Sequence, residues 1–109
     1  MTDKKPTLYL AGRMRGLPDF GRAAFHEAEA ELTEQGYAVI NPAQLPTTLK
    51  PEMYMPICMA MIDAADALCL LPGWEASQGA QLERQYAEYQ GKRIMAFCRT
   101  AKGGTLING

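Results

Sequence analysis

Short apolar runs alternate along this chain with stretches whose apolar residues recur at helical spacing. The apolar runs predict four strands, at residues 7–11, 37–41, 66–71 and 92–98. Helical periodicity between the strands predicts three helices, which begin near Asp19, Pro51 and Ser77. This alternation is typical of an α/β protein, in which right-handed crossovers join the strands of a parallel sheet. Residues 99–109 are polar and contain glycine, so we expect a tail there.

The first helix is predicted to have Asp19 as its N-cap and to end at Gly36. Its apolar residues recur at helical spacing and are predicted to form one buried stripe: Phe20, Ala24, Phe25, Ala28 and Leu32. His26 falls outside that stripe, so we interpret it as a surface histidine and not as a catalytic one.

The second helix contains a segment, residues 57–62, that is apolar on every side. A helix of this kind needs cover on two faces. We therefore expect a homodimer contact through residues 57–62, with cover by the carboxy-terminal tail as the alternative.

Glu83 lies in the middle of the apolar arc of the third helix. At about 100° per residue, that arc also holds Gly79, Ala80, Leu82, Tyr86, Ala87 and Tyr89. The opposite side is polar and is predicted to face solvent: Gln81, Arg84, Gln85 and Glu88. An unpaired carboxylate is costly to bury, so Glu83 is either bound to an arginine or a tyrosine hydroxyl for structural reasons, or functional. The start of a helix that follows a strand is where open α/β sheets bind ligands, which favours a functional role.

All loops that follow strands of a parallel sheet lie at one edge, which gathers residues 12–16, Asn41, Trp74 and Ser77. The run Gly12-Arg-Met-Arg-Gly16 is neither a dinucleotide fingerprint nor a P-loop. It is either a phosphate cradle of backbone N–H groups and guanidinium charge, or a glycine turn with solvated arginines. Asn41 either faces a ligand or caps the turn that follows it.

The composition indicates one domain, residues 1–109, with 48% hydrophobic and 21% charged residues. The net charge of −1 argues against nucleic-acid and membrane partners, and no apolar run is long enough to span a membrane. Residues 1–5 lack the apolar core of a signal peptide. Three cysteines without a C-x-x-C pair indicate reduced thiols in a cytoplasmic protein, and with a single histidine they make a metal site unexpected.

Four motifs resemble the nucleoside 2-deoxyribosyltransferase superfamily: Tyr9-Leu-Ala-Gly-Arg-Met-Arg-Gly16, Ser77-x-Gly79-Ala-x-x-Glu83, Tyr86-Ala87 and Gly91-Lys-Arg-Ile94. The arginine–glycine pair after the first strand and the serine six residues before the glutamate are closer to its 2′-deoxynucleoside 5′-phosphate N-hydrolase branch. The run Leu-Pro-Gly-Trp-Glu at 71–75 is similar to small phage and bacterial members. This resemblance implies a single-domain Rossmann-like (flavodoxin-like) three-layer sandwich with a four- to five-stranded parallel sheet.

The resemblance also implies an activity, namely cleavage of the N-glycosidic bond of a nucleoside or nucleotide without a cofactor. Glu83 would attack the anomeric carbon as the nucleophile, and Tyr9 would orient it. Ser77 and the 12–16 loop would hold a 5′-phosphate. The full set of expected substrate-binding residues is Gly12, Arg13, Met14, Arg15, Gly16, Asn41, Trp74, Ser77 and Gly79.

One position departs from the family, which has an aspartate in the second helix where this chain has Cys58. Asp63 and Asp66 are expected at the opposite edge of the sheet, whereas Glu52 and Glu75 lie nearer the site without matching the motif. Three hypotheses remain, namely an N-glycosidase or deoxyribosyltransferase, a nucleotide-binding module that has lost the chemistry, and a dimeric structural protein with a vestigial pocket. In the family the tail often completes a neighbouring subunit's site, and Thr105 or Asn108 is the candidate here.

Overall fold

The computed structural model describes residues 5–109, which form one mixed sheet and three α-helices. The strands are β1 Thr7–Ala11, β2 Ala38–Ile40, β3 Ala67–Leu70, β4 Arg93–Thr100 and β5 Gly103–Asn108. The helices are α1 Arg22–Glu34, α2 Pro51–Ala64 and α3 Gln78–Tyr89. Most of the segment examined for a signal peptide, residues 1–4, lies outside the described residues. No helix in the described part of the chain is long and apolar enough to cross a membrane.

The strand order is β2-β1-β3-β4-β5, and the first four strands run parallel. This is the flavodoxin-like order, and it confirms the predicted fold class. Strand β2 is added on one side of β1, and β3 and β4 are added on the other, so α1 covers one face of the sheet while α2 and α3 cover the other. The place where the strand order changes direction, the switch point of the sheet, therefore lies at the carboxyl ends of β1 and β3. Open α/β sheets bind ligands at this point.

The fifth strand corrects the prediction of an all-parallel sheet with a polar tail. Strand β5 pairs antiparallel with β4 through a two-residue turn, in the register Thr100↔Gly103 to Met95↔Asn108. A Cβ added to Gly104 would lie 2.0 Å from Cζ of Phe97, so the aromatic ring occupies the space of the missing side chain. The same strand overturns the idea that the tail covers the 57–62 segment, because the tail is a strand of the sheet and contacts α1.

The start of α1 also differs from the prediction. Asp19 is not its N-cap, because Asp19 and Phe20 lie in a left-handed turn with φ of 51° and 55°, and Gly21 precedes the helix. This turn displaces Phe20 from the helical stripe and leaves it 49% exposed. Ala24 is also exposed, because it lies about 100° around the helix from Phe25. Three of the five predicted stripe residues are buried: Phe25, Ala28 and Leu32.

Helix α3 begins and ends as predicted, with Ser77 as its N-cap and Gly91 in a left-handed conformation after it. Its buried stripe is narrower than predicted and consists of Ala80, Glu83 and Ala87. Leu82 and Tyr89 are exposed, at 51% and 88%, because they lie at the edge of the predicted arc, more than about 90° around the helix from Ala80 and Ala87. Glu83 is thus the one large residue on the buried stripe.

Candidate active site

Strand β1 and helix α3 bring Tyr9 and Glu83 together on one face of the sheet. Alternation along β1 points Tyr9 toward α2 and α3, where it is fully buried. The Tyr9 hydroxyl donates a hydrogen bond of 2.9 Å to Oε2 of Glu83. Both hypotheses for Glu83 are compatible with this contact, since a structural bond to a tyrosine hydroxyl and the orienting role that the resemblance implies for Tyr9 require the same hydrogen bond. Within residues 5–109, no lysine or arginine forms an ion pair with this carboxylate.

Burial decides the protonation of this pair. Desolvation raises the pKa of Glu83 to about 7, against the opposing effect of hydrogen bonds from Tyr9 and Cys58. Desolvation, followed by the charge of Glu83, raises the pKa of Tyr9 well above its usual value. Glu83 is therefore a carboxylate poised to change its charge near neutral pH, whereas Tyr9 keeps its proton.

Helix α2 adds Cys58 to the same cluster. Its side chain is 6% exposed and interacts with both Tyr9 and Glu83. Desolvation raises the pKa of the Cys58 thiol to about 11, so the thiol is neutral at physiological pH. Cys58, where the resemblance leads one to expect an aspartate, is thus part of the cluster, and its thiol carries no charge. We call Tyr9, Cys58 and Glu83 the carboxylate cluster.

Four other carboxylates lie on or close to α2 and in the loop before α3. Asp63 accepts hydrogen bonds from Tyr86 and Gln90, and Asp66 accepts one of 2.9 Å from the backbone of Thr7, at the opposite edge of the sheet. Both aspartates are thus engaged away from the cluster, as predicted. The other two, Glu52 and Glu75, are exposed.

The start of α3 lies beside the carboxylate cluster. Oγ of Ser77 accepts a hydrogen bond of 3.1 Å from the backbone of Ala80, which makes it an N-cap. Trp74 packs against the core on the same face of the sheet. The guanidinium of Arg84 lies 5.6 Å from the centre of the Trp74 ring, although the sequence predicted a plain solvent face there. Gly79 has no close neighbour other than Ser77, so nothing in the structure requires a glycine at that position.

The 12–16 loop meets the β3–α3 loop at the switch point of the sheet. A Cβ on Gly12 would lie 3.1 Å from Cβ of Leu71, so the glycine allows these two loops to approach. Arg13 and Arg15 are exposed, and in the described part of the chain neither forms an ion pair. Met14 packs against the core on the α1 side, away from the carboxylate cluster.

Asn41 serves as a cap in the structure. It is 3% exposed, and its Oδ1 accepts a hydrogen bond of 2.8 Å from the backbone of Ala43. Its Nδ2 donates one of 2.9 Å to Glu29 on α1. Both polar groups of Asn41 are thus engaged within the fold, which favours the capping alternative.

A surface cavity of about 290 Å³ opens near the start of α3 and is lined by Trp74, Glu75, Gln81, Arg84 and Gln85. It lies on the outward side of the helix, whereas Glu83 points to the sheet with 9% of its surface exposed. Trp74 lines this cavity and also packs against the core that surrounds the carboxylate cluster.

The family described as "Domain of unknown function (DUF4406)" matches residues 6–96. Among solved structures, a 2-desoxiribosyltransferase from Leishmania mexicana is similar with a TM-score of 0.69 and 22% identity, over 95% of this chain and 79% of that one. The solution structure of BlsM is similar with a TM-score of 0.64 and 24% identity, over 83% of this chain and 63% of BlsM. No curated protein matches the sequence. The predicted deoxyribosyltransferase-like fold is confirmed, although the chain spans less than two thirds of BlsM.

Proposed function

The chain belongs to the DUF4406 family, and we propose that it is an N-glycosidase, either a hydrolase or a deoxyribosyltransferase, that acts on a (deoxy)nucleoside 5′-monophosphate. The observation that carries this proposal is the buried hydrogen bond between Tyr9 and Glu83. A carboxylate held in an apolar site without a counter-charge is costly to keep, and such groups cluster at functional sites. The fold that this chain shares with a 2-desoxiribosyltransferase supports the same class of chemistry.

In the proposed reaction, a carboxylate oxygen of Glu83 forms a bond to the anomeric carbon while the N-glycosidic bond breaks. The electron pair of that bond leaves with the base. Water or a second base then attacks the same carbon, and the ester bond to Glu83 breaks to regenerate the carboxylate. Tyr9 fixes the carboxylate by donating a hydrogen bond to Oε2.

The exposed arginines of the 12–16 loop support a 5′-phosphate subsite. Arg13 and Arg15 carry positive charge beside the switch point, and Nε of Arg13 donates to the backbone oxygen of Arg15 at 3.3 Å. The first backbone N–H groups of α3 point toward the same edge of the sheet, and helix starts favour anions. Guanidinium and phosphate form charge-assisted hydrogen bonds, so the loop suits a nucleotide better than a nucleoside.

The α2–α3 layer supports the proposed homodimer, because Ile57, Met59 and Met61 of the 57–62 segment are only partly buried there. Met53, Leu82 and Tyr89 are each about half or more exposed there. Covering such a surface is favourable in proportion to its apolar area. The three cysteines are free thiols in the structure, which agrees with the proposed cytoplasmic location.

The glycosidase proposal is tested by incubating the protein with nucleosides and nucleoside monophosphates and measuring the released free base by chromatography. We expect release by the wild-type protein and its loss by several orders of magnitude in Glu83→Gln, which keeps the volume and the hydrogen bond to Tyr9. Glu88→Gln, on the exposed side of α3, is the matched control. Base release that survives in Glu83→Gln would refute the role of Glu83 as the nucleophile.

A non-catalytic nucleotide-binding module is the second candidate, and the neutral Cys58 thiol in place of an aspartate favours it. Loss of acid assistance costs about 10²–10⁴ in rate. Calorimetry separates the two functions, because a binding module would bind nucleotides without releasing base over many hours.

A further inference from the structure

The carboxylate cluster contains one carboxylic acid and two groups that hold their protons. Glu83 is needed as the nucleophile, and it cannot donate a proton to the leaving base at the same time. The hydroxyl of Tyr9 directs its proton to Oε2 of Glu83. The thiol of Cys58 is buried against the same two side chains. In the described residues, no hydrogen bond connects any other carboxylate to this cluster.

The missing acid matters because of what happens to the electron pair of the N-glycosidic bond. When that bond breaks in an ordinary nucleoside, the base departs as an anion unless a proton reaches one of its ring nitrogens or oxygens. An enzyme supplies that proton from a group whose pKa lies near the working pH. Neither Tyr9 nor Cys58 has such a pKa, because burial raises both.

A base with a fixed positive charge removes this requirement. We infer, on the basis of the proposed function, that the substrates of this site are nucleosides or nucleotides whose base is cationic, such as an N-glycosylated pyridinium or an N-alkylated purine. The electron pair then neutralises the ring, and the base departs as a neutral molecule without any proton transfer. The overall reaction with water yields the sugar, the neutral base and one proton that is released to solvent.

The electrostatics of the cluster favour the same class of substrate. Glu83 is buried without a cationic partner in residues 5–109, so a positively charged ring would supply the counter-charge that the fold does not. An opposite charge near a carboxylate stabilises its ionised form, and the effect is larger in a site shielded from water. A cationic base would thus hold Glu83 in the form that attacks.

The experiment compares matched substrates in three proteins, namely wild type, Cys58→Asp and Cys58→Ser. The substrates are 7-methylguanosine against guanosine, and nicotinamide riboside against adenosine, each tested with ribose and with 2′-deoxyribose and also as its 5′-monophosphate. We expect the wild-type kcat/KM to favour the cationic member of each pair by about 100-fold or more. Cys58→Asp, which adds an acid, should raise kcat/KM for the neutral member of each pair relative to the cationic member about 10-fold or more. Cys58→Ser, which adds none, should leave the preference unchanged.

The outcomes separate this inference from the glycosidase proposal. If the wild-type protein cleaves guanosine as well as 7-methylguanosine and the activity still depends on Glu83, the inference is wrong and the glycosidase proposal stands. If no substrate releases its base, both are wrong. A thermal melt of each variant shows whether it is folded. If Cys58→Asp does not fold, the wild-type comparison within each pair decides the result alone.

Discussion

Replacing Glu83 by glutamine should change how the stability of the fold depends on pH. In the unfolded chain a glutamate has a pKa near 4.5, whereas burial raises that of Glu83 to about 7 in the folded state. Between these two values the folded protein binds more protons than the unfolded one. The free energy of unfolding therefore falls as the pH rises through this window. Below about pH 4.5 the carboxyl is neutral in both states and the penalty disappears.

The size of the effect follows from the same two values. A difference of about 2.5 pKa units is worth about 3.4 kcal/mol at 1.36 kcal/mol per unit, and this full penalty applies well above pH 7. At pH 5 the penalty is only about 1 kcal/mol, because the unfolded carboxyl is then still partly protonated. Between about pH 5 and pH 8.5 the free energy of unfolding of the wild-type protein should thus fall by about 2.5 kcal/mol more than that of Glu83→Gln.

The assay is urea unfolding of both proteins at several pH values, with Glu88→Gln as the control. The difference between variant and wild type isolates Glu83, because every other titratable group is common to both proteins. An amide NH₂ left without a partner in the site costs about 1–3 kcal/mol, but that cost is the same at every pH. Parallel pH dependence in Glu83→Gln and wild type would show that Glu83 does not titrate in this window. A uniform loss of about 3–5 kcal/mol would instead indicate a buried ion pair deprived of one partner.

Three further predictions test other parts of the molecule. Light scattering should give a dimer mass at micromolar concentration, and Ile57→Asp should weaken the dimer while Glu88→Gln should not; a monomeric wild type would contradict the proposed interface. Calorimetry should show tighter binding of deoxyguanosine monophosphate than of deoxyguanosine, a difference that Arg13→Ala reduces, since each well-formed charge-assisted bond contributes about 1.5–3 kcal/mol; equal affinities would exclude a phosphate subsite. Gly104→Ala should lower the melting temperature, because its Cβ would lie 2.0 Å from the Phe97 ring; an unchanged melt would mean that the ring moves aside at no cost.

The sequence predicted those parts of the fold that depend on local pattern. Four apolar runs marked the four parallel strands, and a serine and a glycine marked the two ends of α3. The predicted start of α1 was wrong because Asp19 and Phe20 adopt positive φ values that such residues rarely have. Strand β5 was missed because glycine disfavours strands, and here the ring of Phe97 on β4 compensates from the neighbouring strand.

The candidate site was predictable to a similar extent. Glu83 was evident from the helical wheel, since its carboxylate falls among apolar neighbours. Its partner Tyr9 was not, because strand alternation says that a residue faces a helix without saying which residue of that helix it meets. Tyr9 entered the prediction only through the family resemblance. For the same reason, the stacking of Arg84 on Trp74 could not be read from their spacing in the chain.

The hydrogen bond between Tyr9 and Glu83 joins positions 74 residues apart, which has a consequence for folding. Tyr9 belongs to the first strand of the sheet and Glu83 to the last helix, so their contact closes a loop that comprises most of the chain. Such non-local contacts require loop-closure entropy to be overcome first, and they slow folding. A partly folded chain with α1 docked on β1 would hold the Tyr9 hydroxyl without its acceptor. In refolding experiments, the raised pKa of Glu83 should therefore appear late, together with the final cooperative step and not with the first helical signal.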